Sequence, residues 1–517
     1  METIDELHEF IGAFGQPNIR GRLLARGEAR AIIRRQGQLP EGAPPFAVTL
    51  DTDLSEYGFS LLRASLALRE GQEGDADIYR DGFLKAGNAF EALVRNGLPE
   101  MPQRGFWRVM GAASYHLAGY AAMAYSLMSQ AEEDANLAPA ERAIVSLLLS
   151  DLGTLRQEAE AWLRNPEHRD DAVQAELEDD EGDFDDAFST ILTTSVFRAF
   201  AFFEFALLTG DDVMRVEAVS ILNRGLRVAR KLGAVPMWWI IRVAINLIDD
   251  LWSNSLHRVL PEEGPNGAGG YADLREMFLA SLYARKTAEV ELWPSQIGAA
   301  RRATDLTDDL VVALPTSAGK TRVAEICTLM SLSSEKRVLL VTPLRALSAQ
   351  TERSFRKTFS PLGFSVSSLY GASGAMPGDQ DALRSRDIVI ATPEKLDFAL
   401  RSDPQLLDDI GLIVLDEGHL IGPSERELRY EILVQRLLRR QDADQRRIVC
   451  LSAILPDGEQ LDDLTAWVRS DADGEPVKSG WRPTRQRFGI LAWGGQGARL
   501  TFDLDDDGPF IHNFVTE

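Results

Sequence analysis

Lys320 and Thr321 close the run Ala313-Leu-Pro-Thr-Ser-Ala-Gly-Lys-Thr321, whose residue types and spacing are those of a loop that grips a polyphosphate. Thr316, Ser317, Ala318 and Gly319 are small enough for their backbone N–H groups to close around phosphate oxygens, and the start of the next helix adds its positive end. Lys320 would reach the outer phosphates and Thr321 would offer its hydroxyl to Mg²⁺; the first glycine of the pattern is replaced by Ala313. Downstream, Ile410-Gly-Leu-Ile-Val-Leu-Asp-Glu-Gly-His419 reads as a buried strand that delivers two carboxylates to its end. Asp416 would hold Mg²⁺, and Glu417 would orient or deprotonate an attacking water. Such acids on their own could be a solvated strand end, and it is their pairing with the loop that points to chemistry.

Both motifs need strands that end side by side. From about Leu292, apolar strands are predicted at Leu310 to Leu314, Arg337 to Thr342, Ser365 to Leu369, Asp387 to Ala391, Leu412 to Asp416 and Arg447 to Ser452, alternating with helical stretches. That alternation predicts a doubly wound parallel sheet, in which ligands bind outside the carboxyl ends of strands. Two of those ends carry Thr-Pro: Thr342-Pro343, followed by Arg345, and Thr392-Pro393, followed by Lys395. Turns there would present backbone N–H groups, hydroxyls and helix N-termini to successive phosphates of a single strand, with Arg345 and Lys395 adding positive charge. The simpler alternative is that each proline only starts a helix. The arginines Arg384, Arg386, Arg436, Arg439, Arg440, Arg446 and Arg447 read as solvated faces.

From Ile4 to roughly Ala284 the pattern is helical, with apolar residues at three- and four-residue spacing over Ile78 to Asn96, Gly105 to Ala131, Ala138 to Leu163, Phe184 to Leu208, Asp211 to Leu232 and Met237 to Trp252. A helical-repeat scaffold and an irregular bundle both fit, since no consistent 34-residue period is present. The expected fold is therefore α followed by α/β: an all-helical accessory or regulatory domain over 1–284, the sheet domain over 285–484, and a linker with the start of a further domain over 485–517. The acidic tract 176–186 reads as a solvated loop or as a flap that mimics nucleic acid.

The 517 residues carry a formal charge of −24, which argues against whole-surface attraction to nucleic acid or anionic membrane. Any nucleic-acid site must be local. The N-terminus is acidic where a secretory leader would be basic, and the apolar run Val235 to Ile248 contains Arg242 and Asn246 and is shorter than the ~20 residues that span a bilayer. Cys327 and Cys450 lie in apolar segments and read as small core residues. A cytoplasmic protein without a membrane partner is expected, and the arginine- and alanine-rich composition is compatible with a bacterial source.

The motifs, taken in order, resemble the DExH helicases of superfamily 2, and most closely their Ski-type branch. Pro294-Ser-Gln296 stands where that family has its adenine-reading glutamine, and Pro315 to Thr321 is similar to its first motif. Thr342 to Gln350 and Ala391-Thr-Pro-Glu-Lys-Leu-Asp397 resemble its two nucleic-acid motifs. Asp416-Glu-Gly-His419 resembles Walker B, Ser452-Ala-Ile454 stands in place of Ser-Ala-Thr, and Trp481-Arg-Pro483 resembles the element that leaves the first RecA-like domain. The resemblance implies ATP and Mg²⁺ as ligands, single-stranded DNA or RNA as partner, and His419, Ser452 and Ala453 as the link from the γ-phosphate to strand grip. Ile454 removes a hydroxyl from that link.

The resemblance spans about Leu292 to Leu491. No Gln-x-x-Gly-Arg-x-x-Arg-like segment follows, so the arginine fingers of a second RecA-like domain, worth about 10³ to 10⁵ in rate where measured, are not expected within the chain. The residues are those expected of an N-terminal portion of a helicase with weak or no turnover alone, in bacterial antiviral defence or DNA repair. The alternative is a nucleotide-gated regulatory or assembly scaffold that does not unwind. In either case a protein partner for the helical domain is expected.

Overall fold

The computed structural model describes residues 3–15, 21–36, 46–71, 74–96, 101–131, 137–178, 184–264, 270–369, 384–453, 458–483, 488–495, 497–502 and 510–516. Ile454, part of the acidic tract and part of the final segment lie outside these residues. The chain divides into two compact units, Met1–Leu251 with Pro483–Glu517, and Trp252–Arg482.

In the first unit the helices run α1 (Ile4–Gly15), α2 (Gly21–Gln36), α3 (Leu50–Glu70), α4 (Ala76–Asn96), α5 (Arg104–Leu117), α6 (Ala121–Met128), α7 (Pro139–Leu148), α8 (Leu152–Arg164), α9 (Asp170–Glu178), α10 (Phe184–Thr209), α11 (Asp212–Leu232) and α12 (Val235–Ser253). Most pack on sequence neighbours, as α3 on α4, α4 on α5 and α10 on α11. Two continuous periodic stretches prove to be broken: Gly119 (φ 87°) separates α5 from α6, and Ser150 (φ 55°) separates α7 from α8. Asp151 then caps α8, accepting the Thr154 N–H at 3.0 Å. By length and composition α10 could cross a membrane. Its residues Val196, Phe197, Phe200 and Phe203 are buried in the unit.

Arg242 and Asn246, the polar residues of α12, anchor that helix. The Arg242 guanidinium donates to both Glu70 carboxylate oxygens at 2.9 and 2.8 Å, and Asn246 Nδ2 donates to Glu70 Oε1 at 3.0 Å. Arg69 donates to Asp250 Oδ1 at 2.7 Å, and His116 Nε2 lies 3.5 Å from Asp250 Oδ2. The final segment forms an antiparallel sheet, β8 (Gly489–Gly494), β9 (Gly497–Phe502) and β10 (Phe510–Thr516), in the order β10-β9-β8. Ile511 packs against Ala29 and Ile33 of α2, which joins this sheet to the first unit.

The second unit opens with α13 (Leu256–Val259), α14 (Tyr271–Tyr283) and α15 (Pro294–Ala303). It begins before the boundary that periodicity places at 284, because Leu256, Tyr271, Phe278 and Leu282 bury into the same core as the strands. There follow β1 (Leu310–Ala313), α16 (Lys320–Ser333), β2 (Arg337–Val341), α17 (Arg345–Phe359), β3 (Val366–Leu369), β4 (Ile388–Ala391), α18 (Pro393–Ser402), β5 (Ile410–Leu415), α19 (Glu425–Leu438), β6 (Arg447–Ser452), α20 (Glu459–Val468) and β7 (Val477–Lys478). The strands pair in parallel in the order β3-β4-β2-β5-β6-β1-β7.

Both faces of this sheet are covered, as parallel sheets require. Leu310, Val312, Leu340 and Val414 face a core that includes α14 and α16 residues, whereas Val311, Leu339, Ile413 and Cys450 face one that includes Leu396, Leu433 and Leu464. Cys327 and Cys450 are free and buried. Arg446 and Arg447 correct the expectation of solvated faces, being 6% and 4% exposed. Arg447 donates to the Arg302 and Ala303 carbonyls at 3.0 and 2.7 Å, satisfying orphan acceptors at the end of α15. Arg446 donates to the Leu407 carbonyl at 3.0 and 2.8 Å and to Asp442 at 2.6 Å.

Candidate nucleotide site and strand track

The sheet order decides which side chains meet. Strand β6 lies between β5 and β1, so the residues that follow it, Ser452 and Ala453, fall between the acids after β5 and the loop after β1. The Leu314 N–H donates to the Ser452 carbonyl at 3.1 Å and the Gly418 N–H to the Leu451 carbonyl at 2.9 Å, tying all three strand ends together. Beyond β5 come β2 and β4, which end at Thr342 and Thr392. Five neighbouring strands therefore bring the phosphate loop, the acid pair, Ser452 and Ala453, and both Thr-Pro turns to one end of the sheet.

The loop itself is held in a left-handed path. Ser317 has φ 68° and Gly319 φ 87°, a conformation that favours glycine and costs other residues about 1–2 kcal/mol. A Cβ on Gly319 would also collide with Gln296. From α15, the Ser295 hydroxyl donates to the Ala318 carbonyl at 3.1 Å and Gln296 Nε2 donates to the Gly319 carbonyl at 3.0 Å. Gln296 Oε1 accepts the Trp293 N–H at 2.7 Å, capping its own helix. The expected adenine reader is thus also a brace for the loop. Thr316 and Thr321 are exposed, Ala318 is buried, and Lys320 begins α16.

Lys320 Nζ lies 3.9 Å from Glu417 Oε1, and Glu417 Oε2 lies 3.4 Å from His419 Nδ1. The ring nitrogen of His419 is also 3.3 Å from the Ser452 hydroxyl. Burial, and then the neighbouring Glu417 charge, push the Asp416 carboxyl up to about 6. Burial lowers Lys320 despite the two carboxylates beside it, and burial lowers His419, which favours its neutral form. Glu417 has φ 53°, and Gly418 is required where a Cβ would strike Cys450 Sγ. A cavity of about 410 Å³ flanks the loop, lined by Ala313, Leu314, Pro315, Thr316, Ala453, Ser479 and Arg482.

At the two Thr-Pro turns the hydroxyls point inward. Thr342 and Thr392 are 0% and 4% exposed. Thr342 Oγ1 bonds the Ser348 hydroxyl. The Thr342 N–H donates to Ala391 O at 3.0 Å and the Thr392 N–H to Leu369 O at 3.3 Å. Pro343 precedes α17, Pro393 begins α18, Arg345 is exposed in the first turn of α17, and Lys395 is 9% exposed. Of the two cations expected on the track, Arg345 is at the surface and Lys395 is packed into α18.

Residues 293–463 match the DEAD/DEAH box helicase family. They are similar to helicase domains of superfamily 2. The chain is 26% identical to the Hachiman protein HamB of Bacillus cereus over 500 residues, covering 95% of this chain and 42% of that protein. It is 33% identical to the ATP-dependent DNA helicase Hel308 of Pyrococcus abyssi over 205 residues, 40% of this chain and 26% of that one. With Hel308 of Thermococcus kodakarensis it shares 36% over 210 residues, 40% and 17% of the two chains. The chain therefore spans about two-fifths of the first relative, about a quarter of the second and about a sixth of the third. Likeness to HamB runs through the helical unit, whereas the Hel308 matches each cover only two-fifths of this chain.

Sequence reasoning on the helicase domain passed over Ser295 and Arg426. Arg426, in the first turn of α19, donates to Glu394 Oε1 at 3.0 Å and also to the Pro343 carbonyl. The signal for Ser295 was its place beside Gln296; Arg426 had only the capping box Ser424-x-x-Glu427 to mark its helix start. Mg²⁺ suits this donor set. Asp416 is a buried carboxylate, raised by burial and by Glu417, whose charged form a divalent cation would favour. Among the described residues no cluster of three or more His, Cys, Asp or Glu forms a protein-only cage, in keeping with an ion bound through one or two carboxylates, waters and phosphates.

Proposed function

We propose that this chain is the nucleotide-binding half of an ATP-dependent helicase or translocase acting on single-stranded DNA, in bacterial antiviral defence ahead of DNA repair. The observation that carries the reading is the row of strand ends β4-β2-β5-β6-β1, which sets the two Thr-Pro turns beside the acid pair and the loop Ala313–Thr321. Likeness to HamB through both units supports the defence setting, and likeness to DNA helicases supports DNA over RNA. The buried free cysteines suit a reducing cytoplasm.

In this reading the loop N–H groups and Lys320 hold the triphosphate, and Glu417 orients the water and accepts its proton. Asp416 and the Thr321 hydroxyl would hold Mg²⁺, which neutralises phosphate charge when bound. His419, 3.4 Å from Glu417 and 3.3 Å from Ser452, ties the water-orienting carboxylate to the backbone that positions Leu314. The turns at Pro343 and Pro393 grip strand phosphates through backbone N–H groups, so they read backbone and not base. Slow turnover by this chain alone is part of the same reading. Exposed Phe202, Phe205 and Leu208 of α10 and Val213 and Val216 of α11 support a partner-binding role for the helical unit.

Phosphate release by the purified chain, with and without single-stranded DNA or RNA, tests this. DNA-stimulated release bears the reading out. Nucleotide binding with no response to either polymer would favour the nucleotide-gated scaffold instead.

A further inference from the structure

The geometry points to Arg426 as a positioning residue for strand binding: it fixes the spacing of the Pro343 and Pro393 turns and connects both to the segment that follows Asp416 and Glu417. The inference rests on the strand-binding reading above. Strands β5, β2 and β4 are consecutive in the sheet, so the connections leaving their carboxyl ends lie side by side. Arg426 stands on the connection after β5, in the first turn of α19 (Glu425–Leu438). Its guanidinium donates to the Pro343 carbonyl, on the turn after β2, and to Glu394 Oε1 at 3.0 Å, in the first turn of α18 after β4. One side chain thus bonds all three connections.

A guanidinium can do this because its donors form a fixed planar fork, whereas a lysine ammonium would satisfy the carbonyl or the carboxylate as a point charge without fixing the angle between them. What Arg426 holds is spacing. Successive phosphates sit at a set separation along a strand, so two turns that each present N–H groups must keep their own separation to engage both at once. Thr342 is fixed from below by Ser348 and by the Ala391 carbonyl. Pro343 has no N–H, and its carbonyl is held by Arg426. The α19 start is itself set by the Ser424 hydroxyl, which accepts the Glu427 N–H at 3.4 Å, and by Glu427, which accepts the Ser424 N–H at 3.0 Å. A shift of the acid segment therefore moves the clamp as a unit.

Arg426 and Glu394 are both about half exposed, with side chains 55% and 47% accessible, so the opposing possibility is that Arg426 binds a phosphate directly and Glu394 merely competes. The two make opposite predictions for Glu394. R426A, R426K, E394A and the R426A/E394A double variant are compared with the wild-type chain for single-stranded DNA affinity across a salt series, for nucleotide affinity, and for amide hydrogen exchange over residues 344–347 and 394–397. Positioning predicts a roughly 5- to 20-fold loss of strand affinity for R426A. It further predicts partial recovery at most with R426K, a loss of the same direction for E394A that is non-additive in the double variant, faster exchange in both segments, and unchanged nucleotide affinity. The salt slope stays at its wild-type value.

Stronger strand binding by E394A, or a salt slope reduced by about 0.7 in R426A, would make Arg426 a direct phosphate contact and overturn the inference. Unchanged exchange in R426A overturns it as well. A wild-type chain that binds neither DNA nor RNA defeats the strand-binding reading itself, and Arg426 is then a packing contact only. A wild type that binds beside an R426A variant that binds equally well defeats this inference alone.

Discussion

One charge cluster of the helical unit and the charges beside the phosphate loop of the other unit are compensated in opposite ways. In the helical unit the Glu70 carboxylate receives three donors, from Arg242 and Asn246, and Asp250 has both Arg69 and His116 at hand. Those groups complete one another and hold α3, α5 and α12 in place. In the ATPase unit Asp416 is pushed up to about 6 and Lys320 is lowered, each chiefly by burial. Their nearest partners leave them short of compensation, and the backbone beside them sits at positive φ at Ser317, Gly319 and Glu417. Charge shifted by burial beside strained backbone is what marks the candidate site.

Removing the catalytic groups gives the largest contrast. Glu417→Gln should lower turnover by about 10²- to 10⁴-fold while nucleotide affinity persists, and Lys320→Ala should weaken both. Steady-state phosphate release and equilibrium nucleotide binding separate the two, and identical behaviour of both variants would defeat the site assignment. In the helical unit Arg242→Ala should destabilise by about 2–3 kcal/mol, toward the low side for a buried pair because Glu70 is 41% accessible. Denaturant unfolding followed in that unit reads this, with nucleotide affinity as the control that must not move.

Asp416→Asn should do the reverse of Arg242→Ala. The folded carboxyl near 6 lies above its unfolded value of about 3.9, so its charged form opposes folding. Without nucleotide, this group therefore adds stability as pH falls from about 6 toward about 4, between its folded and unfolded values, while turnover falls as pH drops through 6. The Asn variant should gain about 1–3 kcal/mol at pH 7.5, keep roughly half of that gain at pH 5, and lose turnover at both. Thermal melts at the two pH values check it, and a lower midpoint at pH 7.5 would contradict the account. Ser150→Gly supplies the smallest effect. It should stabilise the helical unit by about 0.5–1 kcal/mol by relieving φ 55°. Ser317→Gly relieves the same kind of strain, yet is expected to weaken nucleotide binding by loosening the loop, a difference visible in nucleotide affinity alone.

Much of the ATPase unit was legible because parallel strands buried on both faces are written as continuous apolar runs, and all six expected strands occur at or within two residues of their predicted bounds. The two-residue β7 has too few residues to show a pattern. In the helical unit, periodicity ran unbroken across Gly119 and Ser150, since hydrophobic spacing records which face is buried and not where the backbone turns. Arg447 read as surface because a guanidinium bonded to main-chain carbonyls leaves no complementary acid in the sequence, and Arg446 because its nearby partner Asp442 is as compatible with a solvated pair as with a buried one. The phosphate loop and acid pair were readable from residue type. The inward hydroxyls of Thr342 and Thr392, the packed Lys395 and the bridge made by Arg426 depend on strand order, which fixes neighbours remote in the chain.

Gln296 carries a further consequence. A carboxamide has two lone pairs on oxygen and two N–H bonds on nitrogen. The helix cap at Trp293 and the Gly319 carbonyl take one of each, so a nucleobase edge read by this amide would have to use the remaining acceptor and donor. The identity of the base would then be felt by the same amide that steadies the loop around the phosphates. A mispaired base would tilt that amide and spoil the alignment of the far end of the molecule. Choice among nucleoside triphosphates is therefore expected to show in how fast they are consumed more than in how tightly they are held.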